Sequence, residues 1–154
     1  MRQLGARARI LGEFLDRVWS SGEVDACDRF LAPHYTIFHD PGDPWDGLTL
    51  DVSGFKERVR LSRKPFPDQR FDTRSWFESA DGVCVTWLWS ATHLGDFPGF
   101  PASGRRLRTS GVTAYRLDED DRILGHWQVV DRLGVLHQLR QGFAGAPEDG
   151  PSPA

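Results

Sequence analysis

Cysteine is nearly absent from this 154-residue chain: Cys27 and Cys84 are the only two. They stand far apart and form no Cys-x-x-Cys pair, so the sequence predicts neither a disulfide nor a zinc site. A basic excess is missing as well. Nineteen Lys and Arg against 22 Asp and Glu leave a net charge of −3, and no dense basic run supplies the electrostatic footprint of a nucleic-acid binder. No apolar stretch approaches the ~20 residues of a membrane-spanning helix, and the N-terminus lacks the continuous apolar core of a signal peptide. The expectation is a cytoplasmic protein with neither nucleic acid nor membrane as a partner.

Aromatic surface, in contrast, is plentiful. Six Trp and ten Phe suit a core or an apolar pocket. The chain is long enough to bury one core without disulfides or metal, and it reads as one domain over residues 1–141. From Gly142 to Ala154, Gly, Pro and small residues dominate, which predicts a flexible extension.

Hydrophobic periodicity predicts helices first and strands later. Ile10, Leu11, Phe14, Leu15, Val18 and Trp19 recur at helical spacing within about Arg2 to Ser20, and a second short helix fits Val24 to Leu31. Tyr35 to His39 reads as a strand, followed by the breaker-rich run Asp40 to Gly47. Asp51 or Ser53 caps a third helix that Pro65 closes. Four strands follow, at about Arg70 to Ser79, Gly82 to Leu94, Leu107 to Leu117 and Ile123 to Asp131, with Asp81-Gly82 as a hairpin signal and Gly95 to Arg106 as a long connection of the kind that covers a site. This order implies an α+β domain with helices on one face of a curved antiparallel sheet.

The stretch Gly125-His-Trp-Gln-Val-Val-Asp131 carries the chemistry. Alternation places Trp127, Val129 and Asp131 on one face and His126, Gln128 and Val130 on the other. If the first face is buried, Asp131 shares it with apolar groups, which raises a carboxyl pKa toward the range useful for proton transfer. The competing reading makes Asp131 the N-cap of a short helix from Arg132. His93 shares parity with Val83, Val85, Trp87, Trp89 and Ala91, and His39 with Tyr35 and Ile37, so both rings are candidates to enter a cavity, against structural hydrogen bonding at strand ends. Arg105, Arg106 and Arg108 form the one local basic cluster.

These residues carry a resemblance. His39, Phe66-Pro-Asp68, Thr92-His93-Leu-Gly95, Pro101-Ala-Ser-Gly104-Arg105 and Trp127 through Asp131 to Gln138-Leu139, in that order and spacing, make the chain similar to the SnoaL-like polyketide cyclases of the NTF2-like superfamily from about Ile10 to Leu139. The resemblance implies a cone-shaped α+β barrel, dimerising through its outer sheet face, that closes a polyketide ring by intramolecular aldol chemistry with an aspartate as general acid/base and without metal or cofactor. By position, Asp131 is the residue that resembles that aspartate. His39 and His93 are then expected to stabilise the oxyanion, and Trp127, Tyr35, Trp87, Trp89 and Phe66 to contact an aromatic or apolar polyketide-like substrate. Ala102 and Arg140 depart from the family pattern, at the loop and in the terminal Gln-Leu-Gly. Two alternatives use the same fold differently: an epoxide hydrolase or isomerase, which for epoxide opening needs an Arg and a second carboxylate beside the acid, and a non-catalytic small-molecule-binding module.

Overall fold

The computed structural model describes residues 4–141. The extension expected beyond them lies outside the described residues. Leu11, Phe14, Leu15 and Val18, at i, i+3, i+4 and i+7, are all buried. They run along α1 (Ala6–Phe14) and its π-helical continuation, Leu15–Ser20. A 3-10 turn, Val24–Ala26, leads into α2 (Cys27–Phe30). Cys27 is buried, and burial pushes its thiol up to about 11, which leaves it inert as a nucleophile at neutral pH.

Six strands form one curved, unclosed sheet. They are β1 (Leu31–His39), β2 (Thr49–Asp51), β3 (Arg70–Glu78), β4 (Gly82–Thr92), β5 (Arg106–Leu117) and β6 (Ile123–Val130), in the order β2-β1-β6-β5-β4-β3. β1 and β6 are parallel, and every other pairing is antiparallel. The meander from β3 to β6 matches the alternation read from the sequence. Two features differ. β1 begins at Leu31, which the helical pattern places at a helix end, and β2 occupies the stretch just before the third helix, to which the sequence pattern assigns no element. Pro33 has no N–H to give a ladder, and it sits where the β1–β6 register is interrupted, between Leu31 and Thr36. β2 is only three residues long, too short for periodicity to reveal.

α3 (Val52–Arg63) starts at Asp51, whose Oδ1 accepts the Gly54 N–H at 2.7 Å, so of the two caps expected Asp51 is the one used. The turn between β5 and β6 has no glycine. Asp121 takes the left-handed conformation there, φ +58°, and is held by Arg7 Nε at 2.7 Å. The helices cover one face of the sheet. Phe14 packs its ring against Phe30, Phe55 and Tyr115, so helices and sheet share one aromatic core. The last element, α4 (Arg132–Arg140), follows β6 directly.

Candidate functional site

Between the helices and the sheet lies a cavity of about 400 Å³. Trp19, Phe66, Phe71, Trp87, Trp89 and Phe97 form much of its wall, and Tyr35, Asp43, Arg58, Tyr115, His126, Gln128 and Arg132 bring polar groups to it. Two bulges decide which residues enter.

On β1, Ile37 pairs with His126 and His39 with Trp127, so Phe38 is an extra residue in the ladder. A bulge of this kind reverses the faces beyond it. His39 therefore leaves the face it shared with Tyr35 and Ile37, and its ring stacks on Trp127 with centroids 4.4 Å apart. Asp40 turns inward instead, with 0% of its surface exposed. On β6, Leu117 pairs with Ile123 but Arg116 pairs with Gly125, so Leu124 is extra. Gly125 makes this possible: its φ is +156°, and a Cβ there would stand 2.1 Å from the Thr36 carbonyl oxygen. Inward after Ile123 come His126, Gln128 and Val130, all facing the cavity. Trp127 and Val129 are 48% and 50% exposed.

The grouping of Trp127, Val129 and Asp131 on one face is correct, but that face is the outer one. Asp131 is exposed. Its Oδ1 accepts the Gly134 N–H at 2.8 Å, which is the N-cap of α4, and it does not line the cavity. His93 is fully buried with the apolar row of β4, yet it sits behind Phe66, with ring centroids 5.7 Å apart, and its Nδ1 meets Ser103 Oγ at 2.9 Å. It does not line the cavity either. Tyr35, Trp87, Trp89 and Phe66 do, whereas His39 and Trp127 do not. Sequence reasoning missed Asp40, Arg58, His126, Gln128 and Arg132. The one available signal was Gly125 inside a strand pattern, which marks a bulge. Arg58 lies on the apolar face of α3 beside Phe55 and Val59, where periodicity favours a hydrophobe.

Directional hydrogen bonds organise the polar end. Trp87 Nε1 donates to Thr113 Oγ1 at 2.8 Å, so the Thr113 hydroxyl gives its own proton to Gln128 Oε1 at 2.7 Å. The Gln128 amide nitrogen is thereby turned to Asp40 Oδ2, 3.0 Å away. His126 Nε2 also reaches Asp40 Oδ2 at 3.0 Å, and Arg132 Nη2 reaches Oδ1 at 2.7 Å. Burial alone pushes the Asp40 carboxyl up, but the hydrogen bonds from His126 and Arg132 together outweigh it and leave the group below the usual carboxylate range. Asp40 is ionised and only accepts. His126 must then carry its proton on Nε2, which leaves Nδ1 to accept from the Tyr35 hydroxyl at 2.6 Å. Burial holds His126 below its ordinary value despite the upward pull of Asp40, and burial raises Tyr35 well above its own. At neutral pH the chain reads Tyr35 O–H to neutral His126 to Asp40 carboxylate.

Arg58 is 4% exposed, and its Nη2 lies between Asp43 Oδ2 at 3.1 Å and Asp40 Oδ2 at 3.5 Å. The guanidinium rests over Trp19, 5.1 Å from the ring centroid. Among the described residues, no group of three or more His, Cys, Asp or Glu is placed to hold a metal ion, and no helix is long and apolar enough to cross a membrane.

An NTF2-like α+β cone with a partly aromatic cavity is the class this architecture defines. The model of the SnoaL-like polyketide cyclase family matches residues 9–139, and the chain belongs to that family. It is 50% identical to a candidate polyketide cyclase from Acidithiobacillus ferrooxidans, with a TM-score of 0.88 over 93% of this chain and 100% of that one. IdmH, a candidate polyketide cyclase from Streptomyces antibioticus, shares the fold at 21% identity, TM-score 0.74, over 88% of this chain and 99% of its own. AclR, a candidate hydroxylase from Streptomyces galilaeus, shares it at 19% identity, TM-score 0.73, over 92% and 85%. The comparison with curated proteins gives no match.

Proposed function

We propose that the protein is a polyketide cyclase that closes a ring by intramolecular aldol condensation, with Tyr35, His126 and Asp40 handling the proton. One observation carries this reading: a hydrogen-bonded chain ending in a buried carboxylate opens, through Tyr35 and His126, onto a cavity walled by aromatic rings. The Tyr35 oxygen takes a proton from a carbon beside a carbonyl as its own proton passes to His126 Nδ1, and the imidazolium is balanced by Asp40. The enolate carbon attacks a second carbonyl of the same molecule, a carbon–carbon bond forms, and the carbonyl becomes an alkoxide. Tyr35 protonates that alkoxide and recovers its proton from His126. Tyr115, whose proton burial holds firmly, supplies a donor to the developing oxyanion. Holding both carbonyls of one folded chain in contact lowers the barrier by up to roughly 7–11 kcal/mol in favourable cases.

This assignment moves the acid/base role from Asp131 to the cavity. The test uses purified protein and the variants His126→Asn, Asp40→Asn and Asp131→Asn, incubated with anthraquinone-type polyketide esters and followed by liquid chromatography and mass spectrometry. Ring closure is an isomerisation, so the product changes retention time at constant mass. Expected is product from wild type and Asp131→Asn, with little from the other two. Loss in Asp131→Asn alone returns the role to Asp131.

One observation favours a second reading. Arg58 between Asp40 and Asp43 provides the cation and second carboxylate that epoxide opening requires, and its product would gain the mass of water. We also propose a homodimer through the outer sheet face, where Leu88, Val112, Trp127 and Val129 are exposed.

A further inference from the structure

We propose that α4 is a lid over the cavity and that Arg132, its first residue, is both latch and positioning residue: when α4 closes, the Arg132 guanidinium seats on Asp40 and completes the Tyr35–His126–Asp40 chain. The positioning role rests on the proton-handling reading above. The lid itself does not.

Arg132 is the one member of the network that belongs to α4. Its Nη2 donates to Asp40 Oδ1 at 2.7 Å and its Nη1 to the Pro41 carbonyl at 2.8 Å. Its side chain is 34% exposed, whereas the Asp40 and His126 side chains are almost wholly buried, so it can be withdrawn into water without opening the core. The loop after β1 is shaped to receive it. Gly42 has φ +92°, and a Cβ there would lie 2.7 Å from Arg132 Cδ. A side chain at this position would occupy the seat.

The rest of α4 fits a lid as well. Val135, Leu136 and Leu139 line the cavity, while Leu133 on the other side faces solvent. A second clasp stands near the far end. The Gln138 side-chain amide accepts the Arg108 N–H at 2.8 Å and donates to the Arg108 carbonyl at 2.6 Å. The β5–β6 ladder runs no further than the Gly111–Val130 pair, so Gln138 supplies a peptide-like partner to a stretch of β5 that β6 has left. Both clasps are polar and reach the surface, where water can replace them.

Seating the latch changes the environment of Asp40. The groups facing it are His126 and Gln128 from β6, Arg58 from α3, Arg132 from α4, and Asp43 and Asp46 from its own loop, with Tyr35 and Tyr115 beyond His126. Without Arg132, the remaining guanidinium is Arg58 at 3.5 Å, shared with Asp43. The carboxylate then takes up a proton more readily.

Amide hydrogen exchange on the full chain without substrate tests the lid. Expected is faster exchange over residues 132–140 than in β4 and β5, and at least a further tenfold increase there in Arg132→Gln and Gln138→Ala, with β4 and β5 unchanged. Protection of α4 equal to that of β5, unaltered by either substitution, overturns the lid. For positioning, kcat/KM of Arg132→Gln on a converted ester should fall about tenfold or more, the scale of one charge-assisted hydrogen bond, its acid limb should move toward neutral pH, and Arg132→Lys should partly restore both. A wild-type pH profile in Arg132→Gln overturns the positioning role. If wild type converts no ester, the cyclase reading fails and the positioning role with it, while the exchange data still decide the lid.

Discussion

His126 illustrates how much a single residue depends on its neighbours here. Its ring is neutral because burial opposes the charge and Asp40 fixes the tautomer, and Nδ1 is a base only through Tyr35. General acid–base groups contribute about 10²–10⁴-fold, so His126→Asn should lower kcat by that factor in the ring-closure assay. The same environment sets an acid response. An unfolded chain protonates His126 near its ordinary value of 6.5, whereas the folded value is lower, so its contribution to stability is complete above about pH 6.5 and is lost as pH falls toward the folded value. Asp40, ordinarily 3.8 and also lowered in the fold, keeps its contribution until about that pH and loses it below. Melting curves between pH 8 and 5 should therefore show Tm declining below about 6.5 in wild type, and His126→Asn should flatten that decline. Asp131 behaves differently at the same scale. As an exposed cap, its replacement by Ala should cost about 1 kcal/mol in urea denaturation, while Asp131→Asn leaves turnover close to wild type.

At the scale of elements, the two bulges are the decisive feature. Helix periodicity and strand alternation were readable because each reflects one element packing against a core. The inward row of β4 followed from that, and the cap of α3 was narrowed to Asp51 or Ser53, of which the structure uses Asp51. A bulge adds one residue and reverses every later face, and it arises between strands, where β1 meets β6 far away in sequence. Asp40 for His39, and His126 for Trp127, are consequences of one extra residue each. Gly125 is the exposed point of this arrangement. Gly125→Ala forces a Cβ against the Thr36 carbonyl, and the β1–β6 junction has to move; about 2–4 kcal/mol of stability should be lost by urea denaturation, the scale of strain and clash at a special backbone position. Retention of wild-type stability would remove Gly125 from the account of how His126 is aimed.

The whole molecule presents an outer sheet face on which Trp127, Val129, Val112 and Leu88 are exposed together and His39 stacks on Trp127. If this face joins two copies, light scattering after size exclusion should give twice the chain mass for wild type, and Trp127→Glu should give the monomer while leaving the melting temperature of the fold nearly unchanged. A monomeric wild type would withdraw the dimer. Composition, the helical and strand periods, the breaker-rich run before α3 and the family pattern across residues 9–139 were determined by sequence alone, because each depends on residue type and local spacing. Which side of β6 faces the cavity, that Asp40 rather than Asp131 is the buried carboxylate, and that Arg58 and Arg132 converge on it were decided only by the tertiary structure. Those outcomes depend on register between strands and on desolvation by distant neighbours, and neither quantity is local to the chain.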